Sequence, residues 1–527
     1  MRAGRRFRID LRHHRGINLP TDEGIGPDFS GDQFEPIYEN EFQKVTDSPL
    51  STFSIDVDTA SYAKVRQYLL ESKQLPRPDA VRIEELINYF SYRYDSPTTD
   101  DPFSSNMEIA SCPWKPEHRL VRIGLQGKQY PADERPATNL VFLLDVSGSM
   151  DQPNKLPLLK KSMKLLVNQL GENDRVAIVV YAGAAGLVLD STTADQKPQI
   201  LAALDELHAG GSTNGGEGIR LAYQTALDHF IKGGSNRVIL CTDGDFNVGT
   251  TGTDELVRLA EQNAKTGVFL SVFGFGMGNH NDSMLEQISN KGNGNYGFID
   301  NEREAKKAFV EQLTGTLVTI AKDVKIQIEF NPQEVSAYRL IGYENRILAA
   351  QDFNDDTKDA GEIGAGHTVT ALYEIIPAGA HSDVNVPPID ELKYQQKPAP
   401  APAATDSGEL LTLKIRYKQP DGDTSKLLSF PITDSGKDYA QSSTDYRFAA
   451  AVASFGMMLR DSKFKGNATW DSVLELAVEG SRNIDDVYRT EFVELVKQAK
   501  TLAGAGESKP TPASRGAGRL PRRRLGP

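Results

Sequence analysis

The sequence predicts an α/β fold in which a mostly parallel sheet carries helices on both faces, flanked by β-rich segments and a C-terminal helical region. Short apolar strands alternate with amphipathic helices between about residues 139 and 321, which is typical of a parallel sheet covered on both sides. Segments with strand-like alternation lie before and after this region. Three amphipathic stretches follow near the C-terminus.

The central region, predicted as one domain over 137–322, alternates six strands with six helices. The predicted strands are 140–144, 175–181, 186–189, 237–241, 267–273 and 296–299. The predicted helices are 155–170, 195–207, 215–231, 254–265, 282–289 and 302–320. A metal or ligand is expected at the carboxyl ends of the strands of such a sheet.

The N-terminal flank divides into three predicted parts. Residues 1–45 are polar and lack periodicity, so we expect a disordered tether. Residues 46–107 form a predicted helical region, with helices over 61–72 and 79–92. Residues 108–136 form a β segment, which alternates in the manner of a strand from 108 to 126.

The C-terminal flank also has three predicted parts. Residues 323–435 are β-rich and sandwich-like, with a Pro/Ala loop at 397–404; their predicted strands are 325–330, 338–341, 367–375 and 409–417. Residues 436–503 carry three predicted helices, at 446–460, 470–480 and 485–502. Residues 504–527 form a predicted disordered basic tail. Our hypothesis is that 108–127 and 324–433 form one sandwich into which the central domain is inserted.

Composition limits the classes of partner. The 527-residue chain has a formal net charge of −13, which argues against nucleic acid because phosphate binding needs a basic surface. No apolar run reaches the ~18 residues of a membrane span. The two cysteines allow one disulfide at most, and Cys241, at the end of an apolar strand, is predicted to be a small buried hydrophobe.

The sharpest local pattern is Asp145-Val-Ser147-Gly-Ser149, which directly follows the apolar strand at 140–144. The strand brings this loop to the sheet edge, where the three side chains can converge. Carboxylate and hydroxyl oxygens are hard ligands, which suit Mg²⁺ or Mn²⁺ rather than Zn²⁺.

Two further segments complete the pattern. Thr213 lies in a Gly-rich stretch that opens a helix, and Asp243 follows the apolar strand at 237–241, with Asp245 two residues on. The order of these segments resembles the metal-ion-dependent adhesion site (MIDAS) of von Willebrand factor type A (vWA) domains, over about residues 139–321. The resemblance implies a Rossmann-like domain with five metal-site residues: Asp145, Ser147, Ser149, Thr213 and Asp243.

The resemblance also implies a function. In that family the serines and the threonine hold the metal directly or nearly so, and the aspartates usually act through water. One Mg²⁺ or Mn²⁺ is therefore expected, with an open position for an acidic side chain of a partner protein. We expect protein binding, in adhesion or assembly, rather than catalysis.

The flanks resemble bacterial YfbK-type proteins. The resemblance is carried by residues 49–62, by Arg82-Ile-Glu-Glu-Leu-Ile-Asn-Tyr-Phe90 and by Arg447-Phe-Ala-Ala-Ala-Val-Ala-Ser-Phe-Gly456. Many members look like exported lipoproteins, which implies the cell envelope. The sequence as written shows no signal segment and no lipobox cysteine, so either the protein is cytoplasmic or its true start lies upstream.

Two alternative functions remain. A cytoplasmic adaptor of an AAA-type ATPase would also use a vWA domain. A Mg²⁺-dependent phosphohydrolase would use Asp56 and Asp58, which form a D-x-D motif. Gly292-Asn-Gly294-Asn-Tyr-Gly297 fits a dinucleotide fingerprint, but it precedes a predicted strand instead of following one, so we interpret it as a turn.

Overall fold

The computed structural model describes residues 34–55, 58–130, 135–213, 215–244, 252–276, 281–358, 360–384, 386, 407–420 and 422–507. The predicted fold class is confirmed: a mixed α/β domain with a largely parallel sheet is joined to antiparallel sheets and C-terminal helices. Residues 1–33 of the predicted tether, the loop at 397–404 and the tail from 508 lie outside the described residues.

The N-terminal flank contains more strand than the sequence predicts. Its elements are β1 (Gln43–Lys44), β2 (Leu50–Ser54), α1 (Ala60–Leu70), α2 (Ile83–Asn88), β3 (Phe103–Cys112) and β4 (Lys115–Gly127). The tether prediction is wrong for residues 34–45, because Phe42 and Val45 are buried. The predicted helix over 79–92 is also too long, since Arg82 is extended and α2 begins only at Ile83.

The single predicted β segment at 108–126 is a hairpin of two strands. β3 and β4 pair antiparallel from Phe103 opposite Gly127 to Cys112 opposite Lys115. Pro113 lies in the turn between them, where its ring and missing N–H are tolerated. Pro113 was therefore a signal of this turn in the sequence, and the prediction of a single strand did not use it.

The central sheet has the order β10-β9-β8-β5-β6-β7, in which β7 runs antiparallel to its neighbour and the other pairs are parallel. Its strands are β5 (Thr138–Asp145), β6 (Arg175–Tyr181), β7 (Ala185–Thr193), β8 (Ser235–Thr242), β9 (Val268–Phe275) and β10 (Tyr296–Ile299). The bounds of β6 and β10 match the prediction. β5 lies between β6 and β8, and every one of its residues is buried.

The helices of this domain largely follow the prediction. They are α3 (Leu156–Gln169), α4 (Lys197–Asp205), α5 (Gly215–Asp228), α6 (Thr253–Ala264), α7 (Asp282–Lys291), α8 (Glu302–Lys306) and α9 (Leu313–Leu317). The predicted single helix over 302–320 is wrong. A π-helical turn, Lys307–Glu311, separates α8 from α9, and Thr319 already begins the next strand. The Lys307 ammonium in this turn donates to the buried carbonyl of Tyr89, a contact between distant residues that the sequence alone does not show.

The second β-rich region supplies β11 (Thr319–Phe330), β12 (Val335–Ile341), β13 (Gly361–Gly364), β14 (Thr368–Pro377), β15 (Leu411–Lys418) and β16 (Ser425–Ile432). One sheet has the order β1-β12-β14-β4-β3; the other has β13-β11-β15-β16, with β2 paired to β11. β4 therefore pairs with β14, which is the link between 108–127 and 324–433 that the insertion hypothesis requires. The sheets pack through aromatic contacts such as Phe103–Tyr417, with ring centroids 5.0 Å apart.

The closing helices are confirmed as α10 (Thr444–Arg460), α11 (Trp470–Gly480) and α12 (Val487–Glu507). Because α12 continues to Glu507, the prediction of a disordered tail is wrong for residues 504–507. They pack on α1 and α2 through an aromatic cluster in which the Phe90 ring lies 4.7 Å from Phe448 and 5.6 Å from Phe492. The described residues contain no helix that is long and apolar enough to cross a membrane. Short 3-10 turns lie at Pro78–Ala80, Gly148–Met150, Ala194–Gln196, Glu344–Arg346, Ala350–Asn354 and Tyr439–Gln441.

Both cysteines are buried free thiols, so the chain does not use the one disulfide that its composition allows. Cys241 is fully buried in β8, as the small-hydrophobe prediction requires. Gly292-Asn-Gly294 lies in a turn before β10, which agrees with the interpretation of that segment as a turn. A Cβ at Gly294 would lie 1.9 Å from the Leu270 carbonyl oxygen, so close backbone approach explains this glycine.

His367 joins the β-rich region to α9. Its ring occupies the space beside Gly315, where an added Cβ would lie 2.1 Å from Nε2. Burial, followed by the positive charge of Arg237, lowers the pKa of His367 to about 4. The unfolded imidazole takes up a proton below about pH 6.5, so the free energy of unfolding should fall as the pH drops from about 6.5 to about 4.

We expect urea denaturation to show this loss between about pH 7 and about pH 5. Replacing His367 by Gln should reduce the loss by about 1–2 kcal/mol. The exposed His381 provides the control, because His381→Gln should leave the pH dependence unchanged. Equal pH dependence in the wild type and His367→Gln would contradict the assignment.

Candidate metal centre

The first loop of the candidate centre follows β5, the strand on which Asp145 is the last residue. The Ser147 backbone N–H donates to Asp145 Oδ1 at 2.9 Å, which turns the chain sharply at the end of the strand. A 3-10 turn over Gly148–Met150 then brings the hydroxyls of Ser147 and Ser149 to 3.0 Å from each other. The aspartate and both serines therefore face one small region at the sheet edge.

The loop that carries Thr213 is attached to the serine loop by two backbone hydrogen bonds. Gly148 N–H donates to the Gly211 carbonyl at 3.0 Å, and Gly210 N–H donates to the Val146 carbonyl at 2.8 Å. Gly211 has a φ of +84°, which a glycine adopts without strain. Thr213, half-buried, lies two residues further on, just before α5.

The third segment follows β8, which runs parallel to β5 with Cys241 opposite Leu144. Thr242 donates its hydroxyl to Asp145 Oδ2 at 3.3 Å and accepts from Gly244 N–H at 3.2 Å. Asp243 is buried beside it. Asp245 lies outside the described residues.

The electrostatics of the centre suit a cation. Burial raises the pKa of Asp145 to about 6, opposed by hydrogen bonds from Ser147 and reinforced by the negative charge of Asp243. Two carboxylates that repel each other in a buried place are stabilised by positive charge. Within the described parts of the chain no three His, Cys, Asp or Glu side chains cluster as metal ligands, so the donors here are mainly hydroxyls. This donor set fits Mg²⁺ or Mn²⁺.

The comparisons with known proteins decide the family. The family described as von Willebrand factor type A domain matches residues 139–312, that described as von Willebrand factor matches 28–122, and that described as YfbK, C-terminal, matches 315–502. The uncharacterized protein YfbK of Escherichia coli strain K12 is 43% identical over 475 residues, covering 89% of this chain and 81% of that protein. The chain belongs to the YfbK family.

Two solved structures resemble the chain in fold. A von Willebrand factor type A protein from Catenulispora acidiphila covers 77% of this chain and 92% of its own, at 17% identity and a TM-score of 0.43. The ArnB paralog VWA2 from Sulfolobus acidocaldarius covers 77% of this chain and 98% of its own, at 12% identity and a TM-score of 0.37.

The YfbK-type N-terminal flank contains the D-x-D pair of the phosphohydrolase alternative. Asp56 lies outside the described residues. Asp58 is buried, accepts from Tyr296 N–H at 2.7 Å and from Arg346 Nη2 at 3.1 Å, and so ties α1 to β10 and to the β-rich region. These contacts favour a structural role for Asp58.

The sequence did not lead us to two residues of the candidate metal centre. Thr242 binds Asp145 from the next strand, and Lys155 places Nζ 2.9 Å from Asp243 Oδ2. The sequence contained a signal for Thr242, because a hydroxyl residue directly follows the predicted strand. Parallel pairing brings the end of β8 next to the end of β5. The sequence contained no such signal for Lys155, because only the fold brings the start of α3 to the end of β8.

Proposed function

We propose that this protein binds another protein through a divalent cation, Mg²⁺ or Mn²⁺, at the Asp145 centre. vWA domains often mediate metal-dependent protein interaction. The observation that carries the proposal is the convergence of the Ser147 and Ser149 hydroxyls with the buried carboxylates of Asp145 and Asp243 at the ends of adjacent strands. Adhesion or assembly at the cell envelope is the setting that we propose for this binding.

The residues of the centre have different roles in this proposal. Ser147, Ser149 and Thr213 offer neutral hydroxyl oxygens, and Asp145 fixes the serine loop by accepting from Ser147 N–H. When bound, the cation supplies an electron-poor centre that attracts an anionic oxygen. Because Mg²⁺ takes about six oxygen ligands and the chain supplies few, an acidic side chain of a partner can replace a water.

Affinity capture from the native lysate tests the proposal. Wild type, Asp145→Ala and Asp151→Ala are compared in Mg²⁺ and in EDTA; Asp151 is an exposed carboxylate near the same loop and serves as the matched control. We expect a partner that is retained in Mg²⁺ by the wild type and by Asp151→Ala, but is lost in EDTA and with Asp145→Ala.

The identity of the captured partner separates the alternatives. An AAA-type ATPase would favour the cytoplasmic adaptor, and an envelope protein would favour adhesion or assembly. Identical captures under all conditions would contradict metal bridging and would place binding in the β-rich or helical flanks.

A further inference from the structure

Lys155 is a buried cation inside the candidate metal centre. It lies just before α3, is 6% exposed and places Nζ 2.9 Å from Asp243 Oδ2. Its backbone is fixed on both sides, since Lys155 N–H donates to the Gln152 carbonyl at 3.0 Å and Leu159 N–H donates to the Lys155 carbonyl at 2.8 Å.

The Lys155 side chain occupies a space that is open only because residue 276 is a glycine. A Cβ added at Gly276 would lie 2.4 Å from Lys155 Cε and 2.6 Å from Cγ. Gly276 also has a φ of +80°, which disfavours any larger residue. The end of β9 therefore leaves room for the aliphatic stem and directs the ammonium at Asp243.

Among the described residues, we take three charged side chains to set the charge of the centre. Asp145 and Asp243 contribute two negative charges and Lys155 one positive charge, which leaves one negative charge. A divalent cation turns this into one positive charge, whereas without the lysine the loaded centre would be neutral. A neutral centre attracts a carboxylate much less than a positive one does.

We propose that Lys155 is a built-in cation that gives the metal-loaded centre a net positive charge, and so selects an anionic ligand such as a carboxylate. The inference rests on the proposed function of the same centre. It has two consequences of opposite sign: Lys155 weakens the binding of the metal, because like charges repel, and strengthens the binding of the carboxylate.

The alternative role for Lys155 is to hold the Asp243 side chain in place. A lysine that only holds Asp243 in place would support metal binding, so its loss would weaken the binding of both metal and carboxylate. A glutamine at this position keeps a hydrogen-bond donor but carries no charge, which separates the two roles.

The experiment compares Lys155→Met, Lys155→Gln and the control Lys161→Met, whose lysine is 63% exposed on α3. Mn²⁺ titration followed by electron paramagnetic resonance should show both Lys155 variants binding Mn²⁺ at least about tenfold more tightly than the wild type, because a water-like dielectric sets the lower limit of the charge effect at this buried place. Lys161→Met should equal the wild type. Thermal unfolding checks that each variant is folded. If Lys155→Met does not fold, the Mn²⁺ affinity of Lys155→Gln decides between the two roles.

Acetate titrated onto the Mn²⁺-loaded proteins, followed by water proton relaxation, gives the second readout. Both Lys155 variants should bind acetate about tenfold more weakly. Weaker Mn²⁺ binding by Lys155→Met that Lys155→Gln restores, or variants equal to the wild type, would overturn the inference and leave the proposed function standing. A wild type that does not bind Mn²⁺ would overturn both.

Discussion

Asp145→Ala is expected to weaken Mn²⁺ binding about 100-fold, the upper end of the loss seen when a supporting residue of a metal site is removed. The substitution removes a negative charge from the centre and also the acceptor of the Ser147 N–H bond that shapes the serine loop. Isothermal titration with Mn²⁺ at constant pH measures the change.

Two further variants separate charge from loop geometry. Asp145→Asn keeps an oxygen acceptor for Ser147 N–H and loses only the charge, so we expect an intermediate loss of about tenfold. Asp151→Asn changes an exposed carboxylate nearby and should bind Mn²⁺ as the wild type does. Wild-type affinity in Asp145→Ala would show that Asp145 does not belong to a metal site.

Arg66→Met is expected to lower the free energy of unfolding by about 3–5 kcal/mol, because it leaves buried carboxylates without their cation. Arg66, on α1, is buried; its Nε donates to Asp300 Oδ2 at 2.7 Å, its Nη2 to Glu304 Oε2 at 2.8 Å and its Nη1 to Glu491 Oε1 at 2.9 Å. One guanidinium thus joins the N-terminal flank, the vWA domain and α12.

Arg303→Met is the matched control for this measurement. Arg303 donates to the other oxygen of Glu491 at 2.7 Å, but its side chain is 53% exposed, so its ion pair should contribute less than about 1 kcal/mol. Urea denaturation followed by circular dichroism compares the two variants. Equal destabilisation would contradict the view that Arg66 is the buried junction of the three parts.

The parts of the fold that local pattern determines were predictable from the sequence. β6 and β10 were predicted with their observed bounds, because each is a short apolar run between turn-forming residues. Asp145, Ser147 and Ser149 were recognisable because their D-x-S-x-S pattern follows an apolar strand and, together with Thr213 and Asp243, resembles the metal-ion-dependent adhesion site of vWA domains. Parallel strands then bring Asp243 to the same edge of the sheet.

The rest depended on contacts between distant residues. β2 is only five residues long and takes its strand conformation from β11, so no local pattern reveals it. The Lys307 side chain, in the π-helical turn, donates to the buried carbonyl of Tyr89, which is 218 residues away in the sequence. In the sequence, Lys155 is only one of several lysines near α3. The contact of its ammonium with Asp243 appears only in the folded structure.

The most direct test of the metal centre is anomalous diffraction from crystals grown with Mn²⁺. We predict a peak in contact with the hydroxyl oxygens of Ser147, Ser149 and Thr213, with the carboxylates of Asp145 and Asp243 beside it. The peak should disappear in Asp145→Ala crystals grown in the same way. A peak elsewhere, or no peak at a Mn²⁺ concentration that saturates the protein in solution, would contradict the account.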